Sequence, residues 1–94
     1  MIRKLQAKDE VTLSFSKDEA LVLLEMLQRL TDDNEKYLLP LLHSSAEFAV
    51  LCAINSDLEQ IMAEPFLDNY DELVKKARSA IIKRWGTFEG IEEK

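Results

Sequence analysis

The sequence has few of the residues that special structures and sites require. Its 94 residues include one cysteine, one histidine, two glycines and two prolines. Because Cys52 is alone, no intramolecular disulfide can form. One cysteine and one histidine cannot supply the four nitrogen and sulfur ligands of a usual structural zinc site. The scarcity of glycine and proline argues against disorder and against an all-β fold with many turns. We therefore expect a folded chain with no metal and no cofactor.

Long apolar runs are also missing. The longest uncharged apolar stretch, around residues 48–56, is interrupted by Asn55 and is far shorter than the roughly 20 residues of a membrane span. The N-terminus has charges but no following apolar core of the kind that a secretory signal needs. These absences predict a cytoplasmic protein with no membrane association. The length predicts a single domain over residues 1–94, with residues 1–10 and 86–94 as flexible ends.

Charge is unevenly distributed along the chain, which carries −6 in total. Residues 1–8 hold three bases and no acid, residues 9–72 hold fifteen acids against three bases, and residues 73–94 hold six bases against three acids. An acidic body repels phosphates and attracts basic partners. The alternative interpretation is that the acids only keep a small protein soluble.

The hydrophobic pattern predicts a mainly α fold, a three-helix antiparallel bundle with a short N-terminal strand. Apolar and polar residues alternate over Val11–Phe15, which is typical of a strand. Its partner would be residues 2–6 or a second chain. Capping boxes at Ser16 and Ser44 and an Asx cap at Asn69 predict three helix starts. The predicted helices cover residues 18–30, 44 to about 63, and 70–85, with one turn or an irregular segment at 37–42.

Each helix has one predicted buried face. In the first helix, Leu21 and Met26 widen the apolar arc, which predicts either deep burial or a spare flank for a partner. Gly86 is well placed to end the last helix. The residues expected in the core are Ala20, Leu23, Leu24, Leu27 and Leu30, then Phe48, Leu51, Cys52, Ile54, Leu58, Ile61 and Met62, and finally Tyr70, Leu73, Val74, Ala77, Ile81 and Trp85. The pattern leaves open whether Trp85 and Phe88 belong to the core or anchor a partner.

No catalytic apparatus is recognisable in the sequence. His43 stands beside two serines, but capping explains those serines and no oxyanion motif or glycine-rich loop accompanies them. The loop Asp32-Asp33-Asn34-Glu35 resembles a calcium loop, yet Tyr37 occupies the position where that motif requires glycine. We therefore predict that the chain is not an enzyme and has no catalytic, cofactor or metal residues.

The last predicted helix carries a basic cluster beside Trp85. Such a cluster is one component of a nucleic-acid footprint, but bases near a helix C-terminus also complement the helix dipole. The acidic body opposes contact with phosphates. The prediction is therefore that the chain does not bind nucleic acid. The cluster consists of Lys75, Lys76, Arg78, Lys83 and Arg84.

Two short motifs resemble a known group of proteins. Residues 18–23 read Asp-Glu-Ala-Leu-Val-Leu, and Glu64-Pro65-Phe66 is followed by Tyr70 and Leu73. This order, over about residues 11–78, resembles small acidic helical bacterial proteins that include immunity proteins of contact-dependent growth inhibition systems. The resemblance implies a helical fold and a role beside a bacterial toxin. It supplies no catalytic or binding residues.

These observations lead to a functional prediction. The chain is expected to be an immunity protein or antitoxin that covers the active site of a basic toxin, a nuclease, with an acidic surface. The alternative is a structural or adaptor protein that forms a homodimer through the first helix or the N-terminal strand. The residues predicted to bind the toxin are Asp32, Asp33, Glu35, Asp57, Glu59, Glu64, Asp68, Asp71 and Glu72.

Overall fold

The computed structural model describes residues 11–94 and consists of helices and their connections. Four α-helices follow in order: α1 at Lys17–Gln28, α2 at Glu35–Leu38, α3 at Ser45–Ile61 and α4 at Tyr70–Trp85. A π turn at Arg29–Asp33 extends α1, and 3₁₀ turns occupy Leu39–Leu41 and Glu64–Phe66. The prediction of a mainly α protein is confirmed.

The structure does not support the predicted N-terminal strand. Residues 11–15 form no strand, and residues 11–94 contain no other strand with which they could pair. Val11 and Leu13 are 68% and 61% exposed, while Phe15 packs against the core. Alternation creates a strand only where a neighbour accepts its backbone hydrogen bonds. The proposed intramolecular neighbour at residues 2–6 lies outside the described residues, as does the predicted flexible segment 1–10.

The cap of α1 is the one that the sequence predicts. The Glu19 amide donates to Ser16 Oγ at 3.2 Å, and the Ser16 amide donates to Glu19 Oε1 at 2.8 Å. The reciprocal bonds satisfy two amides that a helix start leaves without partners. Hydrogen bonding to the Ser16 backbone lowers the pKa of Glu19, and hydrogen bonding to the Ser16 side chain lowers it further.

The other helix ends follow the predictions less closely. Ser44 Oγ accepts from the Ala46 amide at 3.0 Å, and the carboxylate of Glu47 accepts from the His43 amide, one residue before the expected partner. The predicted Asx cap of α4 is wrong, because the Asn69 side chain makes no capping hydrogen bond. Gly86 ends α4 as predicted, with a φ of +79° that favours glycine.

Helix α1 lies at the centre of the core. Leu21, Leu24 and Leu27 are at most 4% exposed, and Met26, at 37%, is the most exposed large apolar side chain of α1. Neighbours on two sides, α3 and α4, require a wide apolar arc on the helix between them. The apolar arc of α1 is therefore mostly buried, and Val22, Leu23 and Met26 are its less buried apolar side chains. The buried core comprises Ala20, Leu21, Leu24, Leu27, Leu58, Met62, Val74 and Ala77.

Both long neighbours run antiparallel to α1. Arg78 of α4 reaches Glu25, while Arg84 lies within electrostatic range of Glu19, so the end of α4 lies beside the start of α1. The C-terminal end of α3 also packs beside the start of α1, where Leu58 and Met62 enter the core. Helices α3 and α4 barely contact each other.

The predicted inner faces of α3 and α4 are only partly buried. On α3 and just beyond it, Leu58 and Met62 are buried, whereas Ile61 is 61% exposed. On α4, Trp85 is 69% exposed, although it was expected to pack inward. With α3 and α4 on different sides of α1, neither helix shields the other. The half-buried residues of these two faces are Phe48, Leu51, Cys52, Ile54, Tyr70, Leu73 and Ile81.

Candidate protein-binding surface

Six of the nine predicted binding acids belong to segments at one end of the bundle. Because α1 and α4 are antiparallel, the end of α1 and the start of α4 lie at the same end. The π turn carries two of these acids, α2 begins with a third, the first turn of α4 carries two more, and Asp68 lies just before α4. We call this set the acidic end: Asp32, Asp33, Glu35, Asp68, Asp71 and Glu72.

The carboxylates of the acidic end are available to a partner. All six residues are exposed, and none takes part in the ion pairs formed within residues 11–94. The nearest arginine along the chain, Arg29, is committed elsewhere, since it donates to Glu25 Oε2. Arg78 donates to the same oxygen at 3.1 Å and joins α4 to α1. Both arginines therefore pair with Glu25, and no cation of residues 11–94 pairs with the acidic end.

The three remaining predicted acids lie elsewhere. Asp57 is half-buried, and Glu59 Oε1 accepts from the Asn55 side chain at 2.8 Å. Glu64 pairs with Lys17 Nζ at 2.6 Å, and its side chain is 13% exposed. Hydrogen bonding from Lys17 lowers the pKa of Glu64, against the opposing effect of burial. Glu64 thus joins the 3₁₀ turn Glu64–Phe66 to the start of α1. The sequence could not predict this ion pair, because its two residues are far apart along the chain.

Large apolar side chains are also exposed in the segments that carry these acids or adjoin them in sequence. Tyr37, Phe66 and Leu67 are 65%, 84% and 50% exposed. Tyr37 follows Glu35 on α2, with the ammonium group of Lys36 at 5.1 Å from its ring, and Leu67 directly precedes Asp68. The sequence placed Phe66 and Leu67 between two predicted helices and did not indicate that they are exposed. The available signal for their exposure was the position of two apolar residues after Pro65 in a short acidic connection.

A buried phenol lies beneath this end of the bundle. The Tyr70 hydroxyl is buried and has no hydrogen-bond partner within the described part of the chain. Burial raises the pKa of Tyr70, and the nearby carboxylates of Glu25 and Asp71 raise it further. An unpaired buried hydroxyl carries a desolvation cost, so Tyr70 holds the start of α4 against the core through its ring.

The residues considered for catalysis have ordinary structural roles. The Ser44 hydroxyl caps α3, His43 is exposed, and Cys52 is half-buried on α3. Across residues 11–94, no three His, Cys, Asp or Glu side chains are grouped so that they could hold a metal ion. In the same range, no helix is both long and apolar enough to cross a membrane.

The basic cluster of α4 is split by the fold. Arg78 is half-buried in the Glu25 network, while the other members are exposed together with Trp85 and Phe88. Both aromatic residues therefore lie outside the core, which answers the question that the sequence left open. The exposed members are Lys75, Lys76, Lys83 and Arg84.

Comparisons of the chain with protein-family models, with curated proteins and with solved structures give no match. The resemblance to immunity proteins therefore stays a prediction.

Proposed function

We propose that this chain is a protein-binding module, an immunity protein or antitoxin that neutralises a basic toxin in the cytoplasm. The observation that supports the proposal is the acidic end, where six exposed carboxylates form no ion pair within residues 11–94 and the exposed side chains of Tyr37 and Leu67 lie close to acids in the sequence. A nuclease is the toxin class that fits best, because its active site must attract phosphates and is therefore positively charged. The inhibitor needs no catalytic residue of its own.

The two kinds of side chain have different tasks in this mechanism. Long-range attraction between carboxylates and a basic cleft accelerates encounter and favours the correct orientation. Lasting affinity comes from large side chains that are dehydrated at the centre of the contact. Tyr37 and Phe66 are suited to that second task, since an aromatic ring buries much area and loses little side-chain entropy.

The position of two acids supports a role in binding. Asp32 and Asp33 lie at the C-terminal end of the helical run that α1 begins, and the last turn of α1 itself contains no basic residue. The negative end of a helix dipole disfavours carboxylates by a few tenths of a kcal/mol each. These acids therefore oppose helix stability, which favours an explanation outside the fold.

The test begins with affinity capture of the tagged chain from its native cells, washing in rising salt and identifying the retained protein. We expect one basic protein whose activity the chain inhibits. The purified pair is then compared for the wild-type chain and two variants of equal charge change. One variant replaces Asp32, Asp33 and Glu35 by Ser, and the control replaces Glu89, Glu92 and Glu93 by Ser.

The acidic-end variant should associate about tenfold more slowly at low salt and show a weaker salt dependence. The control should remain close to the wild type, because its acids lie in the tail after α4 rather than among these three. Equal effects of the two variants would show that net charge alone matters. Capture of no basic protein, or of one that keeps its activity when bound, would refute the proposal.

A further inference from the structure

The exposed bases of α4 are more numerous than the helix dipole explains. Lys83 and Arg84 belong to the last turn, where a cation complements the negative end of the dipole. Lys75 and Lys76 lie more than two turns before the end of α4, and the effect of the dipole is confined to the terminal turn. None of the four pairs with an acid of residues 11–94. Their charge is therefore open to a partner.

The three lysines share one side of α4. At about 100° per residue, Lys75, Lys76 and Lys83 fall within an arc of about 100°, opposite the side that enters the core. Together with Ser79 and Ala80 they line a shallow groove of about 380 Å³. Lys75 and Lys83 are eight residues apart, so the positive charge extends for about 12 Å along the helix.

The fold keeps the acidic end away from the middle of this groove. The acids of α4 occupy its first turn, and Ser79 lies seven residues after Glu72, about 10 Å along the axis. That separation exceeds the screening length of about 8 Å at physiological salt. Lys83 lies one turn farther away. A phosphate in the groove is therefore attracted by adjacent lysines and only weakly repelled by the acidic end.

Two exposed aromatic rings follow the lysines. Trp85 is the last residue of α4, two residues after Lys83, and its side chain is 69% exposed. Phe88 follows in the tail and is 63% exposed. Unpaired bases stack on exposed aromatic rings, and this contact tolerates any base because every base has an aromatic face.

The chemistry of this surface favours a nucleic acid over a protein or a membrane. Lysine is depleted at the centre of protein interfaces, where aromatic and apolar side chains dominate. A helix that lies on a membrane inserts its apolar face into lipid, but the apolar face of α4 packs against α1. A phosphate backbone is bound through charge and does not require an apolar surface.

We propose that the outer side of α4 binds single-stranded nucleic acid, with phosphates along Lys75, Lys76 and Lys83 and a base stacked on Trp85. This proposal replaces the expectation, drawn from the charge of the whole chain, that nucleic acid is not bound. At about 3.4 Å per nucleotide, the 12 Å of lysine side chains accommodate about four nucleotides. So few phosphate contacts give a weak complex without sequence preference, with a dissociation constant of about 10⁻⁵–10⁻⁴ M at physiological salt.

The test is fluorescence anisotropy of labelled oligo(dT) and oligo(U), each about 15 nucleotides long, titrated with the full chain at about 50–200 mM salt. Both strands should bind similarly, because they share phosphates and base faces. Three phosphate contacts predict a slope of about −2 for the logarithm of the binding constant against that of the salt concentration.

Two variants separate charge from stacking. Replacing Lys75 and Lys83 together by Gln should weaken binding about tenfold or more at low salt and make the slope shallower by about 1.4. The matched control replaces Lys36 and Lys94, which are also exposed, by Gln and should stay within about twofold of the wild type. Trp85→Ala should weaken oligo(dT) binding about fivefold or more. It should not change binding of inorganic polyphosphate, which has no bases. Circular dichroism shows whether each variant keeps its fold.

Four outcomes would overturn the proposal: no binding at low salt with about 1 mM protein, equal losses for the two lysine pairs, unchanged affinity of Trp85→Ala, or tighter binding to duplex DNA or to anionic lipid vesicles than to oligo(dT). Binding of nucleic acid does not depend on the proposed inhibitor function. The Lys75 and Lys83 variant should still inhibit a basic toxin, and the variant that lacks Asp32, Asp33 and Glu35 should still bind oligo(dT).

Discussion

Replacing Leu24 by Ala tests whether α1 is the central element of the core. Leu24 is 0% exposed and lies between α3 and α4. Removal of buried methyl groups loses their transfer free energy and leaves a cavity, and such Leu to Ala changes cost about 2–5 kcal/mol. With packed neighbours on two sides, the site has little freedom to collapse, so we expect about 3 kcal/mol.

That loss is large for a chain of this size. Native domains of about 94 residues have roughly 5–14 kcal/mol of total stability. Urea unfolding followed by circular dichroism has a slope of about 1–1.5 kcal/mol per molar for a small protein, so the midpoint should fall by about 2–3 M. The control on the same helix is Met26→Ala, which should cost less than about 1 kcal/mol because Met26 is 37% exposed. Equal losses for the two variants would refute the central position of α1.

Two further predictions concern titratable groups. The pKa of Glu64 lies below its usual 4.5, so its ion pair with Lys17 contributes stability above pH 4.5 that is lost as pH falls through the lowered pKa. Lys17→Met should flatten the acid side of the stability curve, and an unchanged slope would remove this pair from the account. The pKa of Tyr70 lies above its usual 10.0, so its contribution is complete below pH 10 and is lost as pH rises toward the folded pKa. Tyr70→Phe should remove this alkaline loss of stability. Because the hydroxyl has no hydrogen-bond partner, the same change should leave the free energy of unfolding at pH 7 unchanged or raise it by up to about 1 kcal/mol. A clear destabilisation at pH 7 would show that the hydroxyl does form a hydrogen bond.

Local sequence signals predicted the helices well. The start of α1 at Ser16 and the end of α4 at Gly86 depend on side chains within a few residues, so they could be read directly. The strand at residues 11–15 could not, because a strand requires a partner and alternation alone does not supply one. Asn69 shows the same limit on a smaller scale, since a suitable residue type does not guarantee a capping bond.

The candidate surface was predicted by residue type but not by arrangement. The sequence indicated nine acids, and only the antiparallel pairing of α1 with α4 separates the six at one end from the rest. The ion pair between Glu64 and Lys17 depends on a fold-level contact. The exposure of Phe66 was also hidden, because an apolar residue in a connection can lie in the core or face solvent with the same local sequence.

The central position of α1 has a consequence for how the molecule opens. Helix α3 enters the core mainly through Leu58 at its last turns and Met62 just beyond them, and it has little contact with α4. Its first turns can therefore separate from the rest while α1 and α4 stay joined through Glu25 and Arg78. We therefore expect amide hydrogens in the first turns of α3 to exchange through local opening, and those of α1 and of α4 beside it to be protected for longer.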